Sequence, residues 1–463
     1  MKMWFAQIRE KIVDVRPNEL RALALAFIFN FVILGSYYVI RPIRDDIGAA
    51  GGLENLSWLF TATLVGMLIA NALFSAIVAR MSRRRFIPIA YRFFIANLIA
   101  FYLAMRLLPA AQQPWVGRVF YVWVSVFNLF VVTVFWAFMT DIFNSDQGKR
   151  LFGFISVGGT LGGIVGALIT GGLIKQIGAL NLLFFSAVLL EVGAQCVRFF
   201  PAGFRRSHAD LEEKNIEQEL TDPEVLQEAA TAQNGEAEKP IGGGIISGIS
   251  HVVRSPYLLG ICAFMLLHAI TSTIVYFQQA DITGHQFHDR AARTAFFAHV
   301  DLSVNVLTII VQIFLTGRLL KWLGVGMTLA FLPVLSTIGF VAMAMAPALT
   351  LLALFQTLRR AGNFAVTRPA REVLFTVLRR EDKYKAKSFI DTFVYRAGDQ
   401  IGAWSYPLLT WLGLGLTGIS WVAAPLAGLW CLLSLWLGRK QVALAKNQHV
   451  AGNWSAAERR TAA

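Results

Sequence analysis

Apolar runs of about eighteen or more residues recur from one end of this chain to the other. A bilayer core about 30 Å thick takes a helix of about 20 apolar residues, so runs of this kind confine the chain to membrane-spanning helices. In lipid each backbone N–H and C=O needs a partner within its own segment, which favours helix for runs of this length. Composition agrees: 56% of the 463 residues are hydrophobic and 15% are charged, where a soluble protein carries about 25% charged residues.

Twelve spans are expected, near 19–41, 56–79, 86–108, 115–143, 151–174, 179–200, 256–279, 295–317, 326–347, 349–377, 388–411 and 416–438. The fold class is therefore an all-α integral membrane protein with twelve transmembrane helices in two six-helix bundles. The bundles are expected over 1–200 and 251–440, with a polar linker at 201–250 and a tail at 441–463. The linker, rich in Glu, Gln and Ala, reads as a cytoplasmic segment with one or two helical pieces. Residues 1–14 read as an interfacial helix rather than a cleavable signal peptide.

Orientation follows from Lys and Arg. Arg80, Arg83, Arg84 and Arg85 follow span two, Lys149 and Arg150 span four, and Arg205 and Arg206 span six. Arg318 and Lys321 follow span eight, a basic cluster at 379–387 follows span ten, and Arg439 and Lys440 follow span twelve. All these loops share one side, which the positive-inside rule makes cytoplasmic, together with both termini. This accounts for the net charge of +14 without nucleic acid, since there is no separate basic domain. The three cysteines, Cys196, Cys262 and Cys431, all sit in apolar runs and give neither a disulfide framework nor metal spacing.

A shift of about 238 residues lays Arg16 on Arg254, Tyr38 on Tyr276, Arg80 on Arg318 and Arg83 on Lys321. A parallel six-span repeat joined by a long linker resembles the layout of the major facilitator superfamily, in which two bundles rock about a central cavity. Span five adds Gly158, Gly162 and Gly166, with Gly159 and Gly163, at four-residue spacing. Small residues so spaced permit close helix packing, static or sliding.

Charge within a span costs several kcal/mol unless it meets a partner, water or substrate. Span one ends in Arg41, Arg44, Asp45 and Asp46, with Pro42 among them. Asp141 follows an aromatic run in span four. Asp281 and Asp301 fall in spans seven and eight. Residues 366–402 are the densest case. Arg359 and Arg360 precede them, Arg368, Arg371 and Glu372 lie before the basic cluster, and Asp391, Arg396 and Asp399 lie after it. Arg outnumbers acid in spans one, ten and eleven, and guanidinium binds phosphate or carboxylate oxygens bidentately. The expected ligand is an anionic small molecule.

These residues also resemble the nucleotide (ATP:ADP) translocase family of plastids and intracellular bacteria, a branch of the same superfamily. The run Tyr38, Arg41, Arg44, Asp45 is similar to the family's span-one motif, with Arg44 at a functional Lys. Phe135, Trp136, Phe138 and Asp141 resemble its span-four motif, with Asp141 at a functional Glu. Pro369, Arg371 and Glu372 resemble its span-ten motif, with Arg371 at a functional Lys. Lys383, Lys385, Lys387, Ile390, Asp391 and Arg396 follow the family's run closely. Pro42 departs from it, replacing an Asp.

The expected function is secondary transport of an organic anion, most specifically a nucleotide by ATP/ADP-type exchange, in the cell inner membrane. Substrate contacts fall to Arg41, Arg44, Asp141, Arg359, Arg360, Arg371, Glu372 and Arg396, and coupling candidates are Asp45, Asp281, Asp301 and Asp391. No cofactor or metal is expected, and the chain reads as a monomer. The alternatives are a proton-coupled facilitator of a drug-like or siderophore-like solute, an enzyme acting on lipid-linked phosphates, and a transporter-derived sensor. The enzyme reading lacks a paired-Asp motif, a helical His-Glu-x-x-His and a Gly-rich phosphate loop.

Overall fold

The computed structural model describes residues 15–16, 19–78, 83–143, 145–200, 255–378, 387 and 389–461. The segments expected at 1–14, 201–250 and 379–386 lie outside them.

The described residues form helices joined by short turns. They run α1 (Leu20–Ala50), α2 (Leu53–Val78), α3 (Arg83–Leu107), α4 (Gln113–Ile142) and α5 (Ser145–Phe199), then α6 (Pro256–Gln286), α7 (Arg290–Phe314) and α8 (Thr316–Met345). α9 (Leu349–Gly362) and α10 (Arg368–Leu374) are joined by a π-helical turn, Asn363–Thr367. A second π-helical turn, Ile390–Val394, leads into α11 (Tyr395–Trp411), and α12 is Leu416–Thr461. The tail expected from 441 thus begins as a continuation of α12. Nine helical stretches among the described residues are long and apolar enough to cross a bilayer. The helices at 349–374 and 390–411 are not among those nine; they carry the densest run of in-span charges, from Arg359 to Asp399.

Helix α5 has 55 residues, roughly 80 Å at 1.5 Å per residue, far more than one crossing requires. It breaks at Gly178, whose φ of 78° is a backbone state that glycine adopts without strain. Contacts with α1 show that the chain reverses there. Gly158, Gly162 and Gly166 approach the carbonyls of Phe27, Phe31 and Gly35, so this limb runs parallel to α1. After the break, Ser186 bonds Ser36, Gly193 faces Phe29 and Arg21 donates to the Phe199 carbonyl, so the second limb runs antiparallel. A Cβ at Gly162 would collide with the Phe31 carbonyl oxygen, which is why the backbones require glycine there. Asn30 Nδ2 to the Ile155 carbonyl (2.9 Å) and Thr170 Oγ1 to the Val39 carbonyl (2.9 Å) fasten the same pair of helices.

Call the end at which α1 begins proximal and the end near Gly51 distal. One apolar cluster fills the space among α1 and α3–α5, with Phe29, Phe120, Phe127 and Phe135 fully buried. A second, around Phe264, Trp430 and Leu437, fills the proximal part of the carboxy-terminal helices. A third joins the two helix sets at the distal end, where Ala49, Leu56, Leu59 and Tyr121 pack on Phe277, Tyr406 and Ile419. Large apolar side chains such as Leu68, Phe93, Ile313 and Trp411 are exposed on the outside, as lipid contact requires.

Candidate functional site

The polar contacts that join the two helix sets at Asp45, Asp46, Asp301, Ser57 and Thr61 lie between mid-depth and the distal end. At that end Asp46 of α1, 1% exposed, meets two α7 guanidinium groups, Arg293 Nε at 2.6 Å and Arg290 Nε at 3.0 Å. On the neighbouring face Ser57 Oγ donates to the Ala403 carbonyl (2.6 Å), and Thr61 Oγ1 donates to Gln400 Oε1 (3.0 Å). These contacts close the distal end.

Just below the Asp46 cluster lies a charge network built from three helices, with tyrosines from two more. Positions 41, 44 and 45 fall within one turn of α1, so Arg41, Arg44 and Asp45 cluster on its inward side. Arg41 Nε stands 3.6 Å from Asp45 Oδ2, and Arg41 Nη1 stands 3.3 Å from Asp301 Oδ1 on α7. The same Asp301 oxygen takes Arg360 Nη1 of α9 at 2.7 Å. One buried carboxylate therefore links a guanidinium from each set. Arg44 lies 3.6 Å from Asp45 and 4.3 Å above the Tyr121 ring, a cation–π contact. The Tyr276 hydroxyl donates to Asp45 at 2.9 Å and lies 3.2 Å from the Tyr121 hydroxyl.

Three guanidinium groups thus face two carboxylates, a surplus of one positive charge. Arg41 Nε, Arg44 Nε and Arg360 Nη2 are buried without a hydrogen-bond acceptor, and Asp301 Oδ2 is buried without a donor. Unmade bonds to charged groups at this depth are costly, and an oxyanion supplies acceptors of the kind the three nitrogens lack. Below the network opens a cavity of about 140 Å³, lined by Tyr37, Arg44, Ser125, Asn128, Arg396 and Asp399 among others. Arg396 pairs with Asp399 at 3.3 Å, and Asp399 also accepts from Thr273 at 3.3 Å.

A second group lies proximally. Arg371 Nη2 is 3.4 Å from Asp391 and 3.8 Å from Glu372, and Arg371 Nη1 contacts the Met265 sulfur at 3.1 Å. Its buried Nε has no acceptor. Lys387 bonds Glu372. Both π-helical turns adjoin these charges, one between Arg360 and Arg368, the other containing Asp391; such turns recur at functional sites.

The expected site residues therefore divide. Arg41, Arg44, Asp45, Asp301 and Arg360 come together at mid-depth. Arg396 borders the cavity beneath them, and Arg371, Glu372 and Asp391 form the proximal group. Arg359, adjacent to Arg360, points elsewhere. It is 2% exposed within the carboxy-terminal set and donates to Ser336 (3.2 Å), Ser272 (3.0 Å) and Thr271 (3.1 Å). Asp141 is exposed at the proximal end of α4, and Asp281 pairs with His285 (3.2 Å) toward the distal end of α6. Sequence reasoning missed Tyr121, Tyr276, Ser125 and Asn128, whose residue types carry no signal alone. It also missed Arg290 and Arg293, although the buried-span acid Asp46 called for a partner.

A family model for the Major Facilitator Superfamily matches residues 22–368. An ADP,ATP carrier protein 1 of Chlamydia pneumoniae is 20% identical, covering 86% of both chains. Its counterpart in Chlamydia trachomatis is 21% identical, covering 86% of this chain and 84% of that one. Among solved structures, a D-xylose-proton symporter aligns with a TM-score of 0.60 at 10% identity, covering 90% of this chain and 97% of that one. A bacterial homologue of the iron transporter ferroportin aligns at 0.58 and 12% identity, covering 92% and 99%. With bilayer-length helices in two sets about a mid-depth charge network, this chain belongs to the Major Facilitator Superfamily.

Proposed function

We propose that this secondary transporter moves an organic anion, most specifically a nucleotide, by exchange of the ATP/ADP type. The observation that carries the reading is the Arg surplus at Asp301, where Arg41 and Arg360 from opposite helix sets share one carboxylate oxygen and leave guanidinium nitrogens without acceptors. The likeness to proteins named ADP,ATP carriers supports the choice of nucleotide among anions.

In this reading the two sets are six-helix bundles, 1–200 and 251–440, with both termini cytoplasmic, in a cell inner membrane. The proximal end is then cytoplasmic, and the distal end is shut by Asp46, Arg290 and Arg293. Substrate enters from the proximal side past Arg371, which releases Asp391 or Glu372 to take a phosphate oxygen. At mid-depth Arg41, Arg44 and Arg360 take the remaining oxygens, and Asp301 and Asp45 orient them. The Tyr37 ring, which lines the cavity, is placed for stacking on the base. Asp301 is the internal stand-in for the substrate: it neutralises the site in part when empty, and one positive charge stays uncompensated. Reorientation of that charge without an anion is unfavourable, which couples outward to inward movement as exchange.

The test is a thermal-shift series on the purified protein with ATP, ADP, other phosphorylated compounds and dicarboxylates. Ligand-linked stabilisation grows as RT ln(1 + [L]/Kd), so 100 times Kd adds about 2.7 kcal/mol. The reading expects ATP and ADP to stabilise most. Greater stabilisation by a non-phosphorylated solute overturns it.

A further inference from the structure

A second polar site lies away from the transport pathway, in a groove of about 550 Å³ at the distal end between the two helix sets. Its walls include Tyr102 and Arg106 from the last turns of α3, Asn181 just after the Gly178 break, and Asp289, Arg290 and Thr294 at the start of α7. Arg106 Nη1 donates to the Tyr102 hydroxyl at 2.5 Å and has no acidic partner among the described residues. Thr294 is fully buried, and its hydroxyl has no hydrogen-bond partner. A hydroxyl buried in a groove with two guanidinium groups lacks a ligand atom, since such groups are paired as a rule. Asp289 does not oppose an anion fully, because both its oxygens accept from the N–H groups of Ala291 and Ala292.

The surroundings identify the ligand. The groove lies at helix ends, at the level where headgroups meet water. Beside it Leu103, Leu107 and Phe184 are exposed apolar side chains on the lipid-facing side. Guanidinium pairs with phosphate oxygens on either face of a bilayer, so a basic groove at this level suits a phosphate headgroup. We propose that the groove binds the phosphate of an anionic phospholipid headgroup through Arg106, Arg290 and Thr294, with the acyl chains along the Leu103 and Phe184 face.

The site has a consequence for conformation. Arg290 also holds Asp46 at 3.0 Å, and the groove exists only while α5, with α3 packed on it, lies against α7. A lipid seated there favours the closed distal end.

The experiment uses the full chain, with its three native cysteines replaced, spin-labelled through Ala111→Cys and His288→Cys on two distal turns. It is placed in nanodiscs of phosphatidylcholine, with or without phosphatidylglycerol. Phosphatidylglycerol is expected to raise the ratio of short to long distances by up to about fivefold, the factor for roughly 1 kcal/mol from one exposed ion pair. Arg106→Gln, at an exposed position, and the near-isosteric Thr294→Val are expected to remove that dependence. An unchanged lipid response in both variants overturns the proposal, as does no response in the parent. Soluble glycerol phosphate reproducing the shift in phosphatidylcholine discs overturns the lipid as source.

Discussion

Asp46 and Arg293 form a buried ion pair at 2.6 Å that joins α1 to α7 across the two helix sets. With Arg290 it makes the distal end a latch whose strength depends on one carboxylate. Removing one partner of a buried pair costs roughly 3–5 kcal/mol, because the remaining charge is left unpaired. Asp46→Asn is therefore expected to shift the protein toward a distal-open state, in which both Arg residues reach water. Pulse EPR distances between labels at positions 111 and 288 check this, with longer distances gaining population. An unchanged distribution contradicts the latch.

The neighbours Arg359 and Arg360 are expected to behave differently. They point about 100° apart on the helix, one into the carboxy-terminal set and one to Asp301. Arg360→Gln is expected to weaken nucleotide binding by about 10- to 100-fold, the range for one hydrogen bond to a charged group. Arg359→Gln is expected to lower the melting temperature while leaving Kd within about threefold. Calorimetric titration of both variants decides the matter, and equal losses of affinity contradict the separation.

Close packing of α1 on α5 sets a third expectation. Gly162→Ala places a methyl against the Phe31 carbonyl oxygen, whereas Gly172→Ala meets nothing within 4 Å. Overpacking costs about 1–3 kcal/mol. Thermal unfolding in one detergent should show a clear fall for the first variant and none for the second.

Exchange and proton coupling predict different energetics. With Asp301 shared by Arg41 and Arg360, the exchange reading draws on charge neutralisation by the substrate and needs no proton. Uptake into preloaded vesicles should then be unaltered when an imposed pH gradient is collapsed. Uptake that falls with the gradient supports a proton-coupled facilitator instead.

Much of the architecture was legible in the sequence because the bilayer imposes a coarse rule: apolar runs become helices. Gly158, Gly162 and Gly166 announced close packing, and the structure identifies α1 as the partner. Charges inside apolar runs pointed to residues that meet in the mid-depth network, since burial makes each one expensive. What the sequence withheld was direction and partnership. Arg359 and Arg360 are indistinguishable in one dimension, and only the facing helices decide which of them meets a carboxylate. Asp301 was one of several candidate acids; its contact with Arg41 and Arg360 joins positions far apart in the chain. Tyr121 and Tyr276 were hidden among ordinary aromatic packing, and only three-dimensional proximity sets them beside Arg44 and Asp45.

In the proposed function, an Arg-rich site shared by both helix sets carries nucleotides in exchange. Its most direct test is uptake of labelled ADP into proteoliposomes loaded with unlabelled ATP, compared with empty proteoliposomes, for the parent protein and Arg360→Gln. Uptake is expected to require internal ATP and to drop at least tenfold in the variant at low ADP, about 1.4 kcal/mol of lost binding. Uptake no greater in loaded than in empty vesicles, or an Arg360→Gln protein as active as the parent, contradicts it.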